Sequence, residues 1–223
     1  MPIFIRGDVR VLYVHVPKTG GNAIMKFFQD NGFGVEFCDL SNVRNGLNAL
    51  RTCSPQHYHA QLLSMTLRLH AFSYVFMTVR NPVDRLKSEF LWRVRDPASS
   101  PDNWARQTLS AYAENSFVLD NHIRPQHEFL VPNAEVFKME DGYDGDWVDR
   151  VAQKTGTALS GSNVPRTHVA EVFSGRTTSD VVFSPEVTDQ IRAFYAEDLS
   201  RFGYDDGKSQ RQAVDARPVR ELN

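Results

Sequence analysis

The stretch "VLYVHVPKTGGNAIMKFF", residues 11–28, limits the possible folds more than any other part of the chain. Residues 11–16 are a short apolar, β-branched run stopped by Pro17, the pattern of a strand buried on both faces. From Asn22 onward Ile24, Phe27 and Phe28 recur at helical spacing, and Asn31-Gly32 supplies a stop. A buried strand feeding a helix through a glycine-bearing turn predicts a parallel α/β unit. It also predicts an anion site, because the first amides of such a helix are unpaired and point outward. Gly20 and Gly21 would let backbone approach a ligand closely, Lys18 adds charge, and Thr19 and Asn22 add side-chain donors. The order is not that of a Walker loop, in which the lysine follows the glycines and precedes a magnesium-binding hydroxyl. An ordinary tight turn with a solvent-facing lysine explains the four residues equally well.

A second unit decides more. "YVFMTV" (74–79) reads as a strand ending in Arg80, and "NPVDRLKSEFLWRVRD" follows with Asn81 as cap, Pro82 at the first helical position and Leu86, Phe90 and Val94 as an apolar stripe. Arg80 then stands at the carboxyl end of a strand, where open α/β sheets hold ligands. Ser88 lies about two turns into the helix, with Arg85 and Lys87 adding positive charge nearby. Between the units, "VEFCDL" (35–40) predicts a strand and "CSPQHYHAQLLSMTLRL" a helix with Ser54 as N-cap and Pro55 at its first position.

Further on, a helix is expected around 104–115, strands in "EFLV" and "AEVFKME", a helix over 146–156, and a polar functional loop over 160–180. A last helix, "PEVTDQIRAFYAEDLSRFGY", places Val187, Ile191, Phe194, Tyr195 and Leu199 on one face. The 223 residues suit one domain over 1–204 with a charged tail over 205–223. The 25 basic and 27 acidic residues nearly cancel, which argues against a protein that coats duplex nucleic acid. Cys38 and Cys53 form no metal or disulfide framework, and no apolar run reaches the ~18 residues of a membrane span. These features predict a cytoplasmic chain in a reducing compartment.

Taken together and in this order, "HVPKTGGNAI", "SPQHYHAQLL", "VRNPVDRLKSEF", "DNHIRPQHEFL" and "FYAEDLSRFGY" resemble the carbohydrate sulfotransferases of the sulfotransferase-2 type, including bacterial members, over residues 11–204. The resemblance implies a P-loop nucleotide-kinase-like α/β fold, three layers with a central, mainly parallel sheet. It implies 3′-phosphoadenosine 5′-phosphosulfate (PAPS) as sulfuryl donor, without a metal. Lys18, Thr19, Gly20, Gly21, Asn22 and Ala23 match the loop that holds the donor's 5′ end. Arg80 and Ser88 match the pair that holds its 3′-phosphate, and Arg166, with Thr167, falls in a later loop that closes over the nucleotide. The missing magnesium hydroxyl is then explained: lysine and backbone amides can stabilise the leaving oxygen unaided.

Transfer to a hydroxyl needs a general base, and a histidine with an ordinary pKa of about 6.5 suits that work. "QHYH" offers His57 and His59. Uronyl 2-O-sulfotransferases use the second histidine of an H-x-H pair, which favours His59, whereas His57 would lie nearer the ligand edge of the sheet. On a regular helix residues two apart point about 200° apart, so both cannot serve equally. Asn121, His122, Arg124 and Gln126 are candidates for the acceptor, expected to be a glycan or other hydroxyl compound. Phe90, Trp92 and Trp104 could stack on a base or sugar, although core packing is commoner for such residues. Two other classes stay open from the residues alone: a P-loop-like small-molecule kinase, and a non-catalytic module that binds a nucleotide or glycan.

Overall fold

The structure is a computed structural model that describes residues 1–39, 47–161, 164 and 175–205. Five strands form one sheet: β1 (Ile3–Arg6), β2 (Val9–His15), β3 (Gly34–Glu36), β4 (Tyr74–Val79) and β5 (Glu135–Lys138), in the order β3-β1-β2-β4-β5. The expected strands at 11–16, 74–79 and within 135–140 all form. β2, β4 and β5 run parallel, in the register His15 to Thr78 and Thr78 to Phe137, while β1 and β3 extend the sheet antiparallel. β1 comes from a tight hairpin in which Arg6 pairs with Val9. Gly7 takes a positive φ of 59° in that two-residue turn, a conformation that glycine adopts at no steric cost.

Alternation along the strands divides the core. Val11 and Tyr13 of β2 and Tyr74 and Phe76 of β4 face α1 (Gly21–Asp30) and α5 (Gly145–Thr155), meeting Ile24, Phe27, Phe28, Trp147 and Val151. Leu12, Val14, Val75, Met77 and Val79 face the other way, onto Leu63 of α2 (Ala60–Thr66), Phe129 and Phe202. Helices therefore cover both faces, the expected three layers. A third cluster lies among α3 (Pro82–Arg93), α4 (Pro101–Glu114) and α6 (Pro185–Phe194), where Leu86, Phe90, Val187 and Ile191 are buried. Asn81 caps α3 as expected, its side chain accepting from the amides of Val83 and Asp84.

Three expectations need correction. The segment 54–67 is not one helix: residues 55–57 form a single 3₁₀ turn, Tyr58 and His59 are extended, and α2 starts at Ala60. The cause is tertiary: the His57 carbonyl accepts from the Asn121 side chain at 2.8 Å in place of a continuing helix. "EFLV" is not a strand; residues 126–129 form a 3₁₀ turn whose first amides, of Gln126 and His127, donate to the buried Asp198 carboxylate. The last helix breaks at Tyr195 into α6 and α7 (Ala196–Arg201), where the Tyr195 hydroxyl donates to the Ile123 carbonyl at 2.7 Å. Cys38 and Cys53 are free thiols. Arg166, Thr167 and most of the expected loop over 160–180 lie outside the described residues.

Phe76 joins β4 to both neighbouring helices, with its ring 4.8 Å from Tyr13, 6.0 Å from Phe28 and 5.9 Å from Trp147. Phe76→Ala should therefore cost about 3–5 kcal/mol. Urea unfolding should show the midpoint falling with an unchanged slope.

Candidate active site

The turns after β2 and β4 leave the same edge of the sheet because those strands are parallel neighbours. In the first turn Lys18 and Gly20 both adopt left-handed backbone, at φ 70° and 87°. A side chain at Gly20 would meet the Tyr143 ring at 3.3 Å. Gly20 is also the N-cap of α1, so the amides of Gly21 and Asn22 have no acceptor within the helix. The Ala23 amide, by contrast, donates to the Gly20 carbonyl at 3.1 Å. Thr19 does not offer its side chain to a ligand: the buried hydroxyl donates to the Val16 carbonyl at 2.7 Å and bonds Thr78 Oγ1 at 2.7 Å. Thr78 in turn reaches the Tyr13 hydroxyl at 2.7 Å, and Tyr143 donates to the Thr19 carbonyl at 2.9 Å. The turn is thus anchored from below.

The lysine of this turn meets α3. Lys18 Nζ lies 4.8 Å from the centre of the Trp92 ring, a cation–π contact. Burial lowers its pKa to about 8, opposed by Glu89 and aided by Arg80, Arg93 and Arg95. Ser88, Glu89 and Trp92 share one face of α3 by their spacing. Arg80 ties the turns together, its guanidinium donating to the Lys18 carbonyl at 3.4 Å. Arg85, expected to add positive charge near Arg80 and Ser88, is buried and donates instead to the carbonyls of His122, Ile123 and Arg124. Lys87 pairs with Asp84 at 3.7 Å.

Beside this edge lie three histidines. The His57 ring is 5.4 Å from His15 and 4.6 Å from His122, centre to centre. His57 Nδ1 is 2.8 Å from Asp120 Oδ2, and Asp120 also accepts from the Ser54 amide and hydroxyl at 2.6 Å each. His122 Nδ1 is 2.7 Å from Glu89 Oε2, and Glu89 also accepts from Arg93 Nε at 2.7 Å. Burial lowers the His57 pKa to about 4 against the pull of Asp120, so its ring is neutral near pH 7. Burial would raise the Asp120 carboxyl, yet the bonds from His57 and Ser54 hold it well below the usual range. Burial likewise opposes ionisation of Glu89, but His122, Arg93 and Lys18 bring it down to about 2. The donor atoms of His57, Asp120 and His122 lie within 4.8 Å of one another, a spacing within reach of a cation.

Only part of the expected constellation comes together. Lys18, Gly20, Gly21 and Asn22 form the turn, Arg80 adjoins it, and His57 and His122 lie at the same edge; Ser88 is buried on α3. His59 stands apart from the histidine group: it caps α2, and its ring meets Phe117 at 5.7 Å. Three of the acceptor candidates are committed to the protein itself. Gln126 is fully buried and grips the Arg80 backbone, donating to its carbonyl at 2.8 Å and accepting from its amide at 2.9 Å. Asn121 is buried between the His57 carbonyl and Arg124 Nε. Arg124 adds Glu128 and the Ser116 carbonyl and hydroxyl as partners. Phe90 and Trp104 pack against each other in the helical layer, while Trp92 faces Lys18. Sequence reading missed Asp120, Glu89 and His15, although Asp120 adjoins Asn121, Glu89 adjoins Ser88 and His15 lies in the strand run before the turn.

A parallel-sheet edge that pairs a helix N-terminus and a lysine with carboxylate-backed histidines has the chemistry to hold an anion beside a proton acceptor. The sequence profile described as "Sulfotransferase family" matches residues 1–205, and the chain belongs to that family, whose members transfer sulfuryl groups. No curated protein and no solved structure matches it.

Because Arg124 is spent on internal partners, Arg124→Ala should act on stability. A loss of about 1–3 kcal/mol is expected, mostly from leaving the buried Asn121 Oδ1 without its donor. Denaturation should show that loss, and an acceptor KM measured well below the new melting temperature should change little.

Proposed function

We propose that the chain transfers a sulfuryl group from PAPS to a hydroxyl of a carbohydrate or similar acceptor, with His57 as general base. The observation that carries this reading is the placement of a neutral, Asp120-backed imidazole beside the edge where Lys18 and the first amides of α1 converge. Lys18 and the Gly20, Gly21 and Asn22 amides would hold the 5′-phosphosulfate end and stabilise the oxygen that leaves with the nucleotide. Arg80 and Ser88 would hold the 3′-phosphate. The 3′ end fits this edge because Gln126 fixes Arg80 through its own backbone, while among the described residues its guanidinium makes one long hydrogen bond, to the Lys18 carbonyl.

His57 accepts the acceptor's proton as the sulfur–oxygen bond forms, and Asp120 stabilises the resulting imidazolium while fixing the ring's orientation. His57 is favoured over His59 because only His57 has a carboxylate on Nδ1 and lies with the other histidines; His59 Nδ1 is buried without a partner. His122, oriented by Glu89, stands where it can bond the acceptor or a sulfuryl oxygen.

Labelled PAPS with a panel of sugar, lipid-linked sugar and small-alcohol acceptors tests the reading. Transfer in the presence of EDTA is expected; preference for ATP over 3′,5′-adenosine bisphosphate would sink it in favour of a kinase. Lys18→Ala should lower kcat about 1000-fold. Asp120→Asn, which keeps a hydrogen bond but loses the charge, should lower kcat about 100-fold or more with a smaller change in donor affinity.

The pH profile of kcat/KM supplies a separate check. The base works when neutral, so the acid limb should fall only as pH drops towards about 4, where His57 takes a proton. Lys18 works when charged, so the basic limb should begin near pH 8. Lys18→Arg, which stays charged, should move that limb upward.

A further inference from the structure

We propose that His15 is a positioning residue that sets the distance between the N-terminus of α1 and the His57 ring, and that Gly21 is glycine to leave room for it. The proposal rests on the reading of His57 as base and of the α1 turn as donor site. His15 ends β2, is 7% exposed, and stacks on Tyr13 with ring centres 5.3 Å apart. On one side its imidazole lies against Gly21, where a Cβ would fall 2.1 Å from Nε2, 2.5 Å from Cδ2 and 2.7 Å from Cε1. Such contacts forbid any side chain at position 21 while the ring stays in place. On the other side the ring lies 5.4 Å from that of His57. One rigid group therefore touches the first residue of α1 and neighbours the base.

Two observations distinguish this from ordinary core packing. Gly21 has no positive φ, unlike Gly20, so backbone conformation does not demand glycine there and the histidine does. His15 Nδ1 is also buried with no hydrogen-bond partner. An apolar ring would fill a core position without stranding a polar atom, so packing alone gives no reason for a histidine. Tyr13 fixes the ring from below, and Tyr13 is itself bonded to the Thr78–Thr19 pair under the turn. A displacement of the turn would therefore reach His57 through His15.

A double-mutant cycle between positions 15 and 21 tests this. His15→Ala should lower kcat about 100-fold, the scale expected when a catalytic group is misplaced by about 1 Å, with the Kd for 3′,5′-adenosine bisphosphate changed less than about 3-fold. Gly21→Ala should be at least as damaging, and the double variant no worse than His15→Ala, because the clash leaves with the ring. In wild type, adding the bisphosphate should also shift the His57 imidazole resonances in NMR spectra, and His15→Ala should abolish that shift. Retained kcat in His15→Ala, a double variant as poor as the product of the singles, or an unchanged bisphosphate-induced shift would each overturn the proposal. If the wild type fails to bind the bisphosphate, the donor reading falls. The same cycle read as unfolding free energy without ligand then decides the contact, and zero coupling removes it.

Discussion

The parallel pairing of β2 with β4 is the constraint on which the rest of the site depends. It sets His15 opposite Thr78 and sends the turns after both strands off one edge. Below the first turn the Tyr13, Thr78 and Thr19 hydroxyls bond in sequence, at 2.7 Å per link. A chain of hydroxyls inside an apolar sheet is tolerable only when each member has a partner, and here Thr19 also reaches the Val16 carbonyl. That requirement fixes the height of the turn over the sheet. Thr19 is drawn inward between Lys18 and Gly20, which both take left-handed backbone just before the first amides of α1.

The walls of the site are held by a different device: long polar side chains spent on backbone groups. Arg85 collects the carbonyls of 122–124, Gln126 grips both backbone groups of Arg80, and Asp198 receives the amides of 126 and 127. These segments have no ladder of their own, so side chains satisfy their peptide groups instead. Each bond also fixes a neighbour to which the proposed reaction gives a role. Arg85 places the loop that bears His122, and Gln126 fixes the backbone from which Arg80 projects. The polar content of "DNHIRPQHEF" is thus mostly scaffold, whereas His122 and Asp120 meet the His57 ring.

The sequence announces some of this and conceals the rest. Both strand-turn-helix units are legible because period, caps and stops agree: Pro17 and Gly20 after β2, and Asn81 and Pro82 after β4. The break at Tyr58 is not legible, since "SPQHYHAQLL" carries good helix signals. The Asn121 amide that takes the His57 carbonyl comes from 64 residues away. Propensity gives way there to a tertiary bond, and with it goes the assumption that His57 and His59 lie on one helix. Asp120 and Glu89 escape for a similar reason, because a carboxylate next to a motif carries no mark of the histidine that it will face. Thr19 misleads in the opposite direction: its hydroxyl looks like a ligand donor in a turn, and the sheet claims it.

The charges at this edge have opposing tasks, and burial reconciles them. His57 would have to be neutral to accept a proton, yet it carries on Nδ1 the Asp120 carboxylate, which favours the charged ring. Removing it from water achieves this, while Asp120 keeps the imidazolium within reach when a proton arrives. Lys18 faces the converse problem. Burial and three arginines drive it towards neutrality, and Glu89 opposes them only in part. A dianionic group at the α1 N-terminus would add the missing counter-charge, so the lysine would be most firmly cationic with donor in place. Glu89 links the two tasks, because the carboxylate that orients His122 also supports the charge on Lys18. One buried acid thereby couples the side that would hold the leaving group to the side that would receive the proton.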